Sequence, residues 1–257
     1  MYRHPQNSSD VVINKAGIMA DKMKVEIWSD IMCPFCYIGK RKFETALKTF
    51  DGADEVEMEW HSFQLDPGIE AGSNKNVYQY LSERKGFSYD QSVQMHKQVV
   101  DTAKAVGLEY NFDKAVVANS FDAHRLIQFA KTKGLGDAAE ERLFKAYFTE
   151  GKDFGDHATL VMLAKEIGLN ETDVADVLKS DAYKDNVEND IAEAAQIGIR
   201  GVPFFVFNRK YAVSGAQAPD VFANALQQSF EDWNKHKPLT ALTVAEGDTC
   251  STDGECA

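Results

Sequence analysis

The tightest constraint on the fold lies between Lys24 and Leu65, where two cysteines, Cys33 and Cys36, stand at the junction of two kinds of periodicity. Lys24 to Trp28 (KVEIW) is short, β-branched and alternating, the pattern of a strand. After Cys33-Pro34-Phe35-Cys36, the residues Tyr37, Phe43, Leu47 and Phe50 return at helical spacing. Then Val56, Met58 and Trp60 alternate with Glu55, Glu57 and Glu59, as in a half-buried strand. The run therefore reads β-α-β, with the cysteines at its first strand-to-helix turn. A C-x-x-C in that position points to redox chemistry.

The chemistry follows from the placement. The thiolate is the reactive form of cysteine, and an ordinary thiol at neutral pH is mostly protonated. Cys33 falls at the predicted helix start, where unpaired backbone N–H groups and the positive dipole end favour a negative sulfur. Pro34 suits the first helical position, because its missing N–H needs no partner there. Cys36, three residues on, shares the helical face and is expected to be the more buried. Cys33 is thus the expected nucleophile and Cys36 the resolving thiol. Two bland readings compete: both could be core cysteines, or they could hold a structural zinc ion. Zinc would need Cys250 and Cys256 as further ligands, and their C-x5-C spacing is wider than that of ordinary zinc pairs. No metal site is expected.

From about Asn76 to Ala195 nearly everything has helical spacing. Ser88 with Gln91 forms a capping box ahead of a helix running towards Val106. Asn119 or Ser120 could cap the helix that begins at Phe121, while Asp156 and Asn170 precede two more. Strand signals return at Phe204 to Phe207 and Tyr211 to Val213, joined by a short Asn208-Arg209-Lys210 turn. Pro203, just before, belongs at a strand start or tight turn, since it cannot donate to a ladder. An amphipathic helix follows, and the chain ends in a polar tail.

The net charge of −12 argues against a nucleic-acid or anionic-membrane partner. No apolar run spans a bilayer, and the first residues lack the apolar core of an export signal. The expected location is cytoplasmic, a reducing compartment in which stable structural disulfides are rare.

Taken together, SDIMCPFCYIGK, NSFDAHRL, GIRGVPFFVFN and AVSGAQ resemble the thioredoxin superfamily. Within it the chain is similar to the DsbA-like branch and its FrnE-type oxidoreductases. The resemblance runs from about Met23 to Trp233. It implies an α/β fold, a thioredoxin fold interrupted by an all-helical insertion subdomain. Residues 23–70 and 198–235 would form the thioredoxin-like domain and 71–197 the insertion, with an extension at 1–22 and a tail at 236–257. It also implies that Pro203 is a cis-proline facing the cysteines, and that Val202 pairs its backbone with an extended substrate. Pro34 and Phe35 would border that substrate, with Asn119 and His124 on an insertion helix near the site. The implied activity is thiol-disulfide exchange with protein or small-molecule thiols. No cofactor is implied beyond glutathione as a redox partner, and a homodimer is compatible with it.

A sister group, the kappa-class glutathione transferases and hydroxychromene-carboxylate isomerases, shares the fold. It carries a serine where Cys33 stands, lacks the second cysteine, and has a Ser-Asp pair where this chain has Ala216-Gln217. These departures favour disulfide exchange over a glutathione transferase or isomerase; a chaperone-like binder is the third reading. Cys250 and Cys256 resemble the C-terminal pair of some FrnE-type proteins and are read as a second redox pair. Acidic Asp248, Asp253 and Glu255 would make them slower nucleophiles. Phe35 replaces the histidine usual between the cysteines of periplasmic DsbA proteins, so the couple is expected to be less oxidising.

Overall fold

The computed structural model describes residues 22–70 and 75–236. Strand β1 (Met23–Ser29) leads into helix α1 (Pro34–Lys48), which crosses over to strand β2 (Val56–Ser62). Parallel strands need such a crossover, and β1 and β2 pair in parallel with Met23 opposite Val56 and Ser29 opposite Ser62. After the helices come β3 (Phe204–Phe207) and β4 (Tyr211–Ser214), antiparallel to β1 and to each other respectively. Among the described residues this gives a four-stranded sheet in the order β2-β1-β3-β4. Asn208 and Arg209, both at positive φ, are the central residues of the Asn208-Arg209-Lys210 connection between β3 and β4, closed by the Lys210 N–H donating to the Phe207 carbonyl at 3.0 Å.

Alternation along β1 divides the core. Val25 and Ile27, with Phe205 and Phe207 of β3, face α1 and the last helix, α9 (Pro219–His236). Phe43 of α1 and Phe222 of α9 meet there, with Phe222 4.7 Å from Phe205 between ring centroids. On the opposite face Trp28 and Val206 pack with Ala194 of helix α8 (Lys184–Gln196) and with Ile199.

The chain between β2 and β3 carries helices α2 (Val77–Lys85), α3 (Tyr89–Lys104), α4 (Phe121–Lys131), α5 (Gly136–Lys145), α6 (His157–Glu166), α7 (Glu171–Lys179) and α8. This is the interrupted α/β arrangement expected. The Ser88–Gln91 capping box forms at α3, and the side chains of Asp156 and Asn170 cap α6 and α7. Helix α4 is the hub: every side chain from Ala123 to Ala130 is buried, as in a helix surrounded by others.

The insertion is not helical throughout. Residues 105–120 form an irregular packed segment with a bridge between Asn76 and Val116. Gly107, at φ 78, follows the end of α3, and Leu108, Tyr110 and Phe112 then bury at strand-like alternate positions. The helix predicted to run towards Val106 stops at Lys104 for the same reason. Beyond α5, Ala146–Glu150 make one wider π-helical turn instead of continuing the α-helix.

Candidate active site

Cys33 occupies the N-cap of α1 and Pro34 its first position. The Cys33 N–H donates to the Asp30 carbonyl at 2.9 Å, closing the turn between β1 and α1. The thiols are free, and burial differs as expected: Cys33 keeps 4% of its surface and Cys36 none. Burial, followed by contact with Cys33, pushes the Cys36 thiol well above the ordinary range.

The Val202-Pro203 bond is cis and lies beside the pair. The Cys33 thiol donates to the Val202 carbonyl at 3.4 Å. Gly39 on α1 makes this approach feasible, since a Cβ there would meet the Pro203 ring at 3.0 Å. The Tyr110 hydroxyl donates to the Pro34 carbonyl at 2.7 Å, fixing the C-x-x-C turn from the insertion side. Tyr110 itself stacks on Phe148.

Cys33 opens onto a cavity of about 420 Å³ between α1 and the α2–α3 pair. Its walls are apolar, including Met32, Pro34, Phe35, Leu65, Met95 and Phe112, with Arg84 and Lys85 also lining it. Phe35 is 44% exposed there, an apolar ring offered to solvent next to the Cys33 sulfur.

Behind the pair lies a buried polar group. Asp30, fully buried, accepts from the Met32 N–H at 3.2 Å and the Leu65 N–H at 2.6 Å, tying the turn to the end of β2. His124 Nε2 is 3.7 Å from Asp30 Oδ1. Burial lowers the His124 pKa, but the Asp30 carboxylate outweighs it and the net shift is upward. Glu140 on α5 is 1% exposed, and burial pushes its pKa to about 7. Among the described residues, His124 Nε2, Glu140 Oε1 and Ser29 Oγ lack hydrogen-bond partners.

The structure thus brings Cys33, Cys36, Pro34, Phe35, Val202 and Pro203 together. His124 comes close but sits behind the turn and not on the groove. Asn119 is occupied elsewhere: its Oδ1 accepts from Gln64 and the Phe121 N–H, and its Nδ2 donates to the carbonyls of Pro67 and Ile69. Asn119, and not Ser120, therefore supplies the capping side chain of α4. Cys250 and Cys256 lie outside the described residues. Sequence reasoning missed Tyr110 and Glu140. The alternation of Leu108, Tyr110 and Phe112 was a signal for the first, whereas nothing separates Glu140 from its outward neighbour Glu141.

Residues 24–227 match the model of the DsbA-like thioredoxin domain. The chain belongs to the DsbA-like thioredoxin family. The uncharacterised protein YwbO of Bacillus subtilis is 30% identical over 204 residues, which is 79% of this chain and 94% of that protein. A probable DsbA oxidoreductase from Streptomyces coelicolor has a solved structure with TM-score 0.78 and 39% identity, covering 91% of this chain and 98% of that one. The cytosolic disulfide reductase DsbM of Pseudomonas aeruginosa, at 18% identity and TM-score 0.58, shares the fold across 81% of this chain and 98% of its own. Among the described residues no helix is long and apolar enough to cross a membrane.

Proposed function

We propose that this DsbA-like protein is a thiol-disulfide oxidoreductase working through Cys33 and Cys36. One observation carries the reading: a free thiol at a helix start opens on an apolar groove, with a second thiol fully buried behind it. In the reducing direction the Cys33 thiolate attacks one sulfur of a substrate disulfide. That bond breaks, the first substrate sulfur leaves as a thiolate and takes a proton, and a mixed disulfide with Cys33 remains. Cys36, deprotonated, then attacks the Cys33 sulfur, forming the Cys33–Cys36 disulfide and releasing the second substrate thiolate. Two electrons pass to the substrate. The oxidising direction is the reverse, and the potentials of pair and partner set which one prevails.

The Cys36 proton has to leave inside the protein, where the buried carboxylate of Asp30 lies in the turn ahead of the pair. Val202, beside Cys33, offers backbone to an extended substrate, and Pro34 and Phe35 offer apolar contact. The expected partners are protein or small-molecule thiols and disulfides in the cytoplasm, with glutathione a candidate; DsbM has been solved with GSH. The order of the sequence motifs supports the finer likeness to FrnE-type proteins, and the likeness of the Cys250/Cys256 tail to the C-terminal pair of some of them supports a relay.

Insulin disulfide reduction by wild type, Cys33→Ser and a Cys250→Ser/Cys256→Ser double variant tests both parts. Activity lost with Cys33 alone supports the assignment and makes the tail pair dispensable. Loss in both variants supports the relay. Reduction that survives Cys33→Ser overturns the reading.

A further inference from the structure

We propose that Glu26, Glu59 and His61 form a binding site for one first-row divalent cation on the α8 side of the sheet. The strand register places the three together. Glu26 of β1 is directly opposite Glu59 of β2, and His61, two residues on, points to the same face. Two carboxylates directly opposite one another repel unless positive charge lies between or beside them.

The geometry suits coordination. One ligand atom from each of the three residues lies within 4.8 Å of the others. His61 Nε2 is 3.4 Å from Glu26 Oε1 and 4.0 Å from Glu59 Oε1. Metal–ligand bonds of about 2.1 Å put neighbouring donors roughly 3.0–3.4 Å apart, so among the three ligands the Glu59 side chain has to close in, and the basic side chains paired with these carboxylates have to give way. The other imidazole nitrogen, Nδ1, is 2.9 Å from Asp190 Oδ1, the arrangement by which a carboxylate orients a metal-binding histidine. Asp190 is itself held by the Ser62 N–H at 2.7 Å and Gln128 Nε2 at 2.6 Å. Trp28 stacks on the ring at 4.4 Å.

Two atoms show what is lacking. Glu26 Oε2 and His61 Nε2 have no hydrogen-bond partner among the described residues, on side chains only 3% and 7% exposed. Arg209 holds the other Glu26 oxygen, and Lys24 and Lys131 pair with Glu59 at 3.0 and 3.3 Å. Arg209 and Lys24 are more than half exposed and can swing aside into the cavity of about 490 Å³ that reaches the cluster. A set of one imidazole and two carboxylates, without thiolate, fits Mn²⁺ or Zn²⁺ and not a soft ion. The bound ion would clip β1 to β2 and, through Asp190, to α8.

A proton on His61 Nε2, shared with Glu26 Oε1 at 3.4 Å, is the rival occupant. The test must exclude thiol ligands, so it uses the full chain with Cys33, Cys36, Cys250 and Cys256 all replaced by serine. After chelator treatment this protein is titrated at pH 8 with Mn²⁺ and, separately, Zn²⁺, with bound ion and melting temperature as readouts. One equivalent of either ion should bind and raise the melting temperature. Affinity should fall at least about tenfold in Glu26→Gln and in Glu59→Gln. Should Glu26→Gln fail to fold, Glu59→Gln, at the more exposed of the two carboxylates, decides. No binding of either ion at about millimolar concentration, or binding undiminished in Glu59→Gln, overturns the site and leaves the proton as its occupant.

Discussion

The Cys33 thiol and the Val202 carbonyl, 169 residues apart in sequence, meet at 3.4 Å. That contact joins the β1–α1 turn to the loop entering β3, so the Cys33 sulfur is framed by both segments of the sheet unit. Cys36 lies behind it with no exposed surface and a thiol pushed upward by burial. In the folded, reduced protein, iodoacetamide at pH 7.5 should therefore label Cys33 first, with Cys36 reacting only after unfolding. Peptide mass spectrometry over a time course checks this. Equal labelling of both thiols in the native state would remove the distinction between nucleophile and resolving residue, and faster labelling of Cys36 would reverse it.

Arg125 does for the insertion what Val202 does for the site. Buried on α4, it donates to the carbonyls of Ala182, Val177 and Ser180 and pairs with Asp122, pinning the end of α7 and the approach to α8. Arg125→Met removes the guanidinium donor from all three carbonyls, of which Val177 keeps the Ser180 N–H and hydroxyl, and should cost roughly 3 kcal/mol or more in urea unfolding. Cys33 labelling per folded molecule should not change. A loss below about 1 kcal/mol would show that the clamp contributes little.

How much of this was legible beforehand depends on the range of the signal. Periodicity and capping are local: the β-α-β run, the Ser88–Gln91 box and the caps at Asp156 and Asn170 were readable because each is decided within a few residues. The strand-like alternation at Leu108, Tyr110 and Phe112 was equally local, but it was hidden inside a region whose average looked helical. What pairs with what across the fold is another matter. Glu26 opposite Glu59, Asp190 behind His61 and Glu140 behind the cysteines are set by strand register and helix packing, and the charge of a glutamate does not reveal whether it faces water. Asn119 shows the converse, since a residue expected at the substrate was claimed by the backbone of the neighbouring loop.

Glu140 gives the stability a pH dependence of unusual sign. Its carboxyl titrates near 4.5 in the unfolded chain and, through burial, near 7 in the folded one. Between those values the folded state holds a proton that the unfolded state has released, so this group makes stability fall as pH rises from about 4.5 to 7. At 1.36 kcal/mol per pH unit the upper limit is about 3 kcal/mol. Glu140→Gln removes the effect, and its stability relative to wild type should be greater at pH 8 than at pH 4.5. Denaturant unfolding at the two pH values measures it, and a difference that is flat with pH would mean that Glu140 is ionised and paired at neutral pH.

Phe35 sets the last expectation, about redox poise. It lines the groove beside Cys33 at 44% exposure, and its ring cannot make a charge-assisted contact with a thiolate. A histidine at this position would stabilise the reduced form and so make the disulfide easier to reduce. The wild-type couple should therefore lie well below the roughly −120 mV of DsbA. Phe35→His should raise the potential by tens of millivolts, each ~30 mV being a tenfold change in the equilibrium with glutathione. Equilibration in glutathione buffers, read by trapping the free thiols, tests both values. A wild-type potential as high as that of DsbA, or one unmoved by the histidine, would mean that the helix start and the Val202 loop set the poise without the residue between the cysteines.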